Sequence, residues 1–439
     1  MVRPDEPSGR ATSARFLGIV AVVVLPLLLV SALALRGDGT SSAPGSGTQS
    51  SGMNTTDARA VADPEAVRAA AAAAALFRQQ QAVTTQDERA FAATFASTPR
   101  ARDLAEEIFA NLTRMPLSSY SLRYVGEVSG GARWTADVQA RWALAGYDQR
   151  PVAVELRATF VRRGEVAKLV DLSAPGAGRT PEWLLGRLDV RRVGAALLLS
   201  AQPEGSDEIA SLTRRAVRDV RRVLERWPGT VVVVLPRTTE GLEQLLGASA
   251  GSHDSIAAVT SAADGTSDAT TPVRVLLNPP IFTALGRTGA RVVLAHEATH
   301  AATGAATGAA TGAATGAGTS DLPLWLVEGF ADYVALARAP VPVEVAAGQA
   351  LSRVRREGSP TGLPSDGDFS TAAHRLGVSY ESAWLACRLI AQQNGEDALV
   401  RFYRRAQRAG GVGAAFEAVL GTDERTFVRR WRRHLRGLA

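Results

Sequence analysis

The sequence predicts an α+β protein in which an N-terminal apolar span is followed by two folded units. Three observations carry that expectation. Alanine-rich and amphipathic helical stretches precede four alternating apolar and polar segments; a strand and helix alternation follows; and helical spacing fills the C-terminal part. With 439 residues the chain is long enough for two cores and flexible appendages.

The formal charge of +6 comes almost wholly from arginine, because Lys168 is the only lysine. The arginines are interleaved with acids rather than gathered in one block. No zinc-finger, helix-turn-helix or aromatic RNA-binding motif accompanies them, so no nucleic-acid partner is expected.

At the N-terminus, Arg3, Arg10 and Arg15 lie in a short tail, residues 1–15. Residues 16–35 then form a run of 20 without a charge, the length a helix needs to cross a bilayer. The basic tail is expected to stay in the cytoplasm, which makes the chain a single-pass cell-membrane protein with its main domains extracytoplasmic. The small-x-small pattern Ala32-Leu33-Ala34 offers a rival, a cleaved signal and a secreted product. The length of the run favours the anchor. Residues 36–60, rich in Gly, Ser and Thr, read as a flexible linker. Cys387 is the only cysteine, so no intrachain disulfide can brace the exported part.

The first unit spans 61–175. Asp63-Pro64 caps a helix expected to run to about Ala96, and Leu104, Ile108 and Leu112 mark a second at spacing four. "SLRYVGEV", "WTADVQARWAL", "VAVELRATFVRR" and "EVAKLVDL" read as strands. This order of elements resembles the cone-like nuclear-transport-factor-two-like domains, which implies a sheet curled round helices and an accessory role in binding or spacing. After "SAPGAGRTP" the second unit, 183–439, opens with "VGAALLLS", a basic helix around 209–226, "TVVVVLP", a short helix near Leu242, "IAAVT" and "VRVLLNP".

The chemistry concentrates in "HEATH", residues 296–300. On a helix, His296 and His300 at i and i+4 project from one face and can grip one zinc ion, with Glu297 beside them to reach a bound water. A catalytic zinc needs a third protein ligand, and downstream "LPLWLVEGFADY" offers Glu328. Asp332, one turn later, could accept the outward N–H of a ligating imidazole, or be a solvated helix residue.

"HEATH" and "WLVEGFADY" together resemble the gluzincins, thermolysin-like zinc metallopeptidases, and in particular exported actinobacterial proteins with a peptidase MA-like domain. The resemblance implies His296, His300 and Glu328 as Zn2+ ligands, Glu297 as general base, Asp332 as the partner behind a ligand, and a domain with a small sheet, the "HEATH" helix and a helical C-terminal part. It implies a peptide or protein substrate. A metzincin would carry a third histidine where Ala306 stands. The 27 residues between His300 and Glu328 exceed the interval gluzincins use, but removing two Ala-Ala-Thr-Gly units, eight residues, leaves 19. The repeat reads as an insertion between two halves of one site, with a helix continuing through it as the alternative.

Tyr380, in "GVSYESAWLACRLIAQQNG", is the first candidate for oxyanion donor, against core packing; His374 is the second. His253 and His434 are given no role. Helices are expected at 384–392, 398–409 and 423–438, the last with Phe427, Trp431 and Leu435 in a stripe that either packs on the domain or lies on an anionic membrane. The expectation is a membrane-anchored extracytoplasmic zinc metallopeptidase, with a non-catalytic envelope binding protein as the alternative.

Overall fold

The computed structural model describes residues 63–266, 268, 270–304, 322–370 and 373–439. The expected anchor at 16–35, the linker at 36–60 and most of the Ala-Ala-Thr-Gly repeat lie outside the described residues. Among the described residues no helix is long and apolar enough to cross a membrane.

The first unit starts as its sequence suggests. The Asp63 side chain accepts the Glu65 N–H at the head of α1 (Pro64–Thr85), and Pro64 fits the first turn. The helix stops well short of Ala96. Gln86 adopts a left-handed conformation, and the Asp87 carboxylate caps a new short helix, α2 (Glu88–Ala92), by accepting the Ala90 N–H. Thr98 caps α3 (Pro99–Arg114), which buries Ala101, Ala105, Ile108 and Leu112. Four strands follow, β1 (Leu117–Ser129), β2 (Arg133–Leu144), β3 (Val152–Arg163) and β4 (Val166–Ser173), paired in sequence order as an antiparallel meander. Trp134, Ala136, Val138, Ala140 and Trp142 alternate along β2 into the core.

The second sheet is built from β5 (Asp189–Val193), β6 (Ala196–Ser200), β7 (Val232–Leu235), β8 (Ala258–Ala262) and β9 (Val273–Leu277), in the order β5-β6-β7-β9-β8. α4 (Ser206–Val223) carries the chain from β6 to its parallel neighbour β7, and α5 (Thr239–Leu246) follows β7. The three inner strands are almost wholly apolar, Arg274 of β9 and Ser200 at the end of β6 excepted, because both faces are covered. On one face Leu198, Val233, Val275 and Leu277 pack with the helices that follow in the chain. On the other, Leu197, Leu199, Val232, Val234 and Leu276 join the core of the first unit. The first unit is thus one layer of a three-layer body and shares its apolar core with the sheet.

Polar pins fix that contact. Asn111, fully buried on α3, donates to the carbonyls of Trp183 and Gly186 and accepts from the Leu188 N–H, holding the chain between the two sheets. Arg274, on β9, grips both oxygens of Asp148 at 2.8 Å and Glu182 at 2.9 Å. All three side chains are almost wholly buried.

The helical layer comprises α6 (Pro279–Ala284), α7 (Gly286–Thr303), α8 (Leu324–Leu336), α9 (Val343–Ala346), α10 (Gly348–Glu357), α11 (Leu376–Asn394), α12 (Glu396–Ala406), α13 (Gly411–Leu420) and α14 (Glu424–Leu438). α7 lies against β8, β9 and α4, and α8 sits between α7 and α11. On α14 Phe427, Trp431 and Leu435 are buried, so its apolar stripe packs on the domain, and its arginines are exposed apart from the half-buried Arg432. α13 forms despite two glycines, Gly411 and Gly413, because Phe416 is clamped between Phe402 and Phe427.

Replacing Arg274 with methionine strands two buried carboxylates. Urea unfolding of R274M should show a loss of about 3–5 kcal/mol; a loss below about 1 kcal/mol would contradict the role of this pin.

Candidate metal centre

α7 packs on the side of the sheet opposite the first unit. Ala290, Val293, Leu294 and Ala298 seat the helix in the core, and Arg291 pairs with Asp219 of α4 at 2.6 Å. His296 and His300, one turn apart, then point the same way. The helix ends at the first glycine of the repeat: Gly304 is left-handed, at φ 73°, and its N–H caps the carbonyl of His300. The third group comes from α8, where Gly329 lets the helix approach α11 so closely that an added Cβ would lie 2.5 Å from the Ala383 carbonyl oxygen. That approach sets the depth of Glu328, the preceding residue.

The three predicted ligand atoms converge. His296 Nε2 lies 2.9 Å from His300 Nε2, and Glu328 Oε2 lies 3.2 Å from the first and 3.4 Å from the second. All three residues are buried. A tetrahedron of zinc bonds near 2.05 Å has edges of roughly 3.3 Å, so the spacing fits one such ion. Among the described residues no other cluster of this kind occurs.

The electrostatics also fit a cation. Burial opposes charge on His296, yet Asp332 and Glu328 outweigh it and hold the imidazole well above its usual pKa. Burial would likewise push Glu328 up, but His300 and His296 bring its carboxyl down to about 2. Without metal, the cluster therefore retains a proton among its acids. Asp332 lies behind the site, accepting the His296 Nδ1–H at 2.8 Å and leaving Nε2 to face the other ligands.

Glu297, next to a ligand in sequence, stays outside the cluster. Its Oε2 accepts from the hydroxyl of Thr260, a residue of β8, at 2.7 Å. Tyr380 is brought beside the centre, its ring 6.5 Å from that of His296 and edge-on to Phe369 at 5.2 Å. Burial and the charges of Glu328, Asp332 and Glu297 hold its phenol well above the usual range, so it remains an O–H donor. The other histidines stand apart: His374 is exposed before α11, His253 is buried beside Ser252, and His434 lies on α14.

Sequence reasoning did not find Thr260 or Glu381. The one belongs to a strand recognisable only as a strand; the other is a buried acid on α11 that accepts the Ala350 N–H at 2.7 Å. No protein-family model matches the chain, and a search of curated proteins finds no match.

Two predictions follow from this geometry. Gly329→Ala should lower stability by about 1–3 kcal/mol and weaken zinc binding with it, because α8 must shift with Glu328. Unchanged melting temperature and zinc titration would contradict the close approach. Burial, against hydrogen bonds from Ala350 and Gln349, raises the Glu381 carboxyl from 4.5 to about 7. The native state then binds that proton more tightly than the unfolded chain, so this contribution is present below pH 4.5 and disappears as pH rises through 7. Glu381→Gln should remove on the order of 3 kcal/mol of pH dependence across that window. Superimposable pH–stability curves for the two proteins would contradict it.

Proposed function

We propose that this protein is a zinc metallopeptidase of the gluzincin kind, anchored in the membrane by residues 16–35 with its folded part outside the cytoplasm. The observation that carries the reading is the convergence of His296, His300 and Glu328 within 3.4 Å, with Glu297 adjacent to them but engaged elsewhere. A structural zinc site uses four protein ligands, whereas three leave a position for water.

His296, His300 and Glu328 would hold the ion, and Asp332 keeps His296 in the tautomer that offers Nε2. Zinc in such a setting acts as a Lewis acid and lowers the pKa of bound water to near 7. Glu297 accepts the proton of the attacking water and passes it to the leaving amine. The phenol of Tyr380, kept protonated by its surroundings, donates to the oxyanion that develops on the scissile carbonyl.

A peptide substrate is supported by the sheet. β8 is an edge strand of the five, paired only with β9 among the described residues, and it runs beside Glu297 through Thr260. An extended peptide can add to such an edge through backbone hydrogen bonds, which read chain direction and not side chains. The first unit, sharing its core with the opposite face of the sheet, acts as a brace.

The test uses the full chain in detergent or vesicles with a fluorogenic peptide library. Glu297→Gln should retain zinc and lose about 10²–10⁴-fold in kcat, while Glu328→Gln should lose the zinc itself. Chelation should abolish hydrolysis and added Zn2+ restore it. A well-folded protein that cleaves no peptide with zinc bound would instead indicate the non-catalytic envelope protein.

A further inference from the structure

We infer that Thr260 is a positioning residue that keeps the Glu297 carboxylate out of the metal's coordination shell and aimed at the water beside it. The inference rests on the metallopeptidase reading and concerns a residue of the sheet, not of the metal helices.

Alternation along β8 decides which way Thr260 points. Ala258 belongs to the core shared with the metal helices, and Val259 to the core of the first unit. Thr260 therefore faces α7, while Ser261 turns to the other side, where Arg179 donates to its hydroxyl at 3.2 Å. Thr260 is fully buried, and its Oγ1 lies 2.7 Å from Glu297 Oε2 and 2.9 Å from the Glu297 carbonyl oxygen. A hydroxyl has one proton to give. The carbonyl, in the body of α7, already has the Ala301 amide as its regular helical partner. The carboxylate has no such claim on a helix amide, so the Thr260 proton goes to Oε2.

The consequence concerns what Glu297 would otherwise do. It is a buried carboxylate adjoining a ligand, and carboxylates bind zinc readily. Yet the ligand cluster comprises His296, His300 and Glu328 without it. A hydrogen bond from the strand on one oxygen restrains rotation and leaves the second oxygen free to accept from water. Without that bond, the carboxylate can swing towards the ion and take the open position.

The experiment compares the full chain with Thr260→Val, which keeps the shape and removes the donor, and with Thr260→Ser, which keeps the donor. Each is loaded with Co2+, whose visible absorption weakens as coordination number rises. The Val variant should show a weakened, altered spectrum, and the Ser variant should match the parent. With zinc bound, the Val variant should lose about 10–100-fold in kcat with KM and zinc content little changed, and the Ser variant should recover most of it. Thr260→Ala provides a second donor-free variant should valine disturb folding. A folded Val or Ala variant with the parent's Co2+ spectrum would overturn the inference. If the parent cleaves no peptide, the peptidase reading falls while the Co2+ spectra still decide the role of Thr260.

Discussion

A carboxylate at 3% exposure, with two imidazoles beside it and two further acids in the neighbourhood, is the constraint on which the rest of this structure turns. Burying a charge is costly unless an opposite charge meets it. Here a proton held on His296 between Asp332 and Glu328 answers that need, and a divalent cation would satisfy the same acids in its place. The donor set, its spacing and the supporting aspartate all suit one ion.

The fold supplies the rigidity such a cluster needs. The three converging side chains come from two helices that are not contiguous in sequence, and their relative height depends on backbone packing of α8 against α11 at Gly329. α7 is in turn seated on a sheet covered on both faces. The first unit provides the covering on the far side, and buried pins at Asn111 and Arg274 hold it there. A small sheet with one bare face could not keep apolar strands such as "VVVL" or "ALLLS" in place. The first unit's structural contribution is therefore to the bed on which α7 rests.

Much of the site is legible in the sequence because metal chemistry condenses into spacing. Two histidines four apart on a helix, and a glutamate a turn before an aspartate on another, constrain direction before any fold is known. The α+β class and most elements are also readable from periodicity. What the sequence does not display is tertiary. Thr260 meets Glu297 across 37 residues, and Arg274 meets Asp148 across 126. The break of α1 at Gln86 turned on local capping by Asp87, a signal hidden inside an alanine-rich helical run. α13 ran against its glycine content and is held by aromatic packing, and β5, "DVRRV", reads as too polar for a strand until it is seen as an edge.

The most direct test of the account is zinc stoichiometry with X-ray absorption on the purified full chain. The account predicts one zinc per chain, with two imidazole nitrogens and oxygen donors at about 2.0–2.2 Å and no sulfur. A folded chain that purifies without metal and takes up none when zinc is supplied would contradict it.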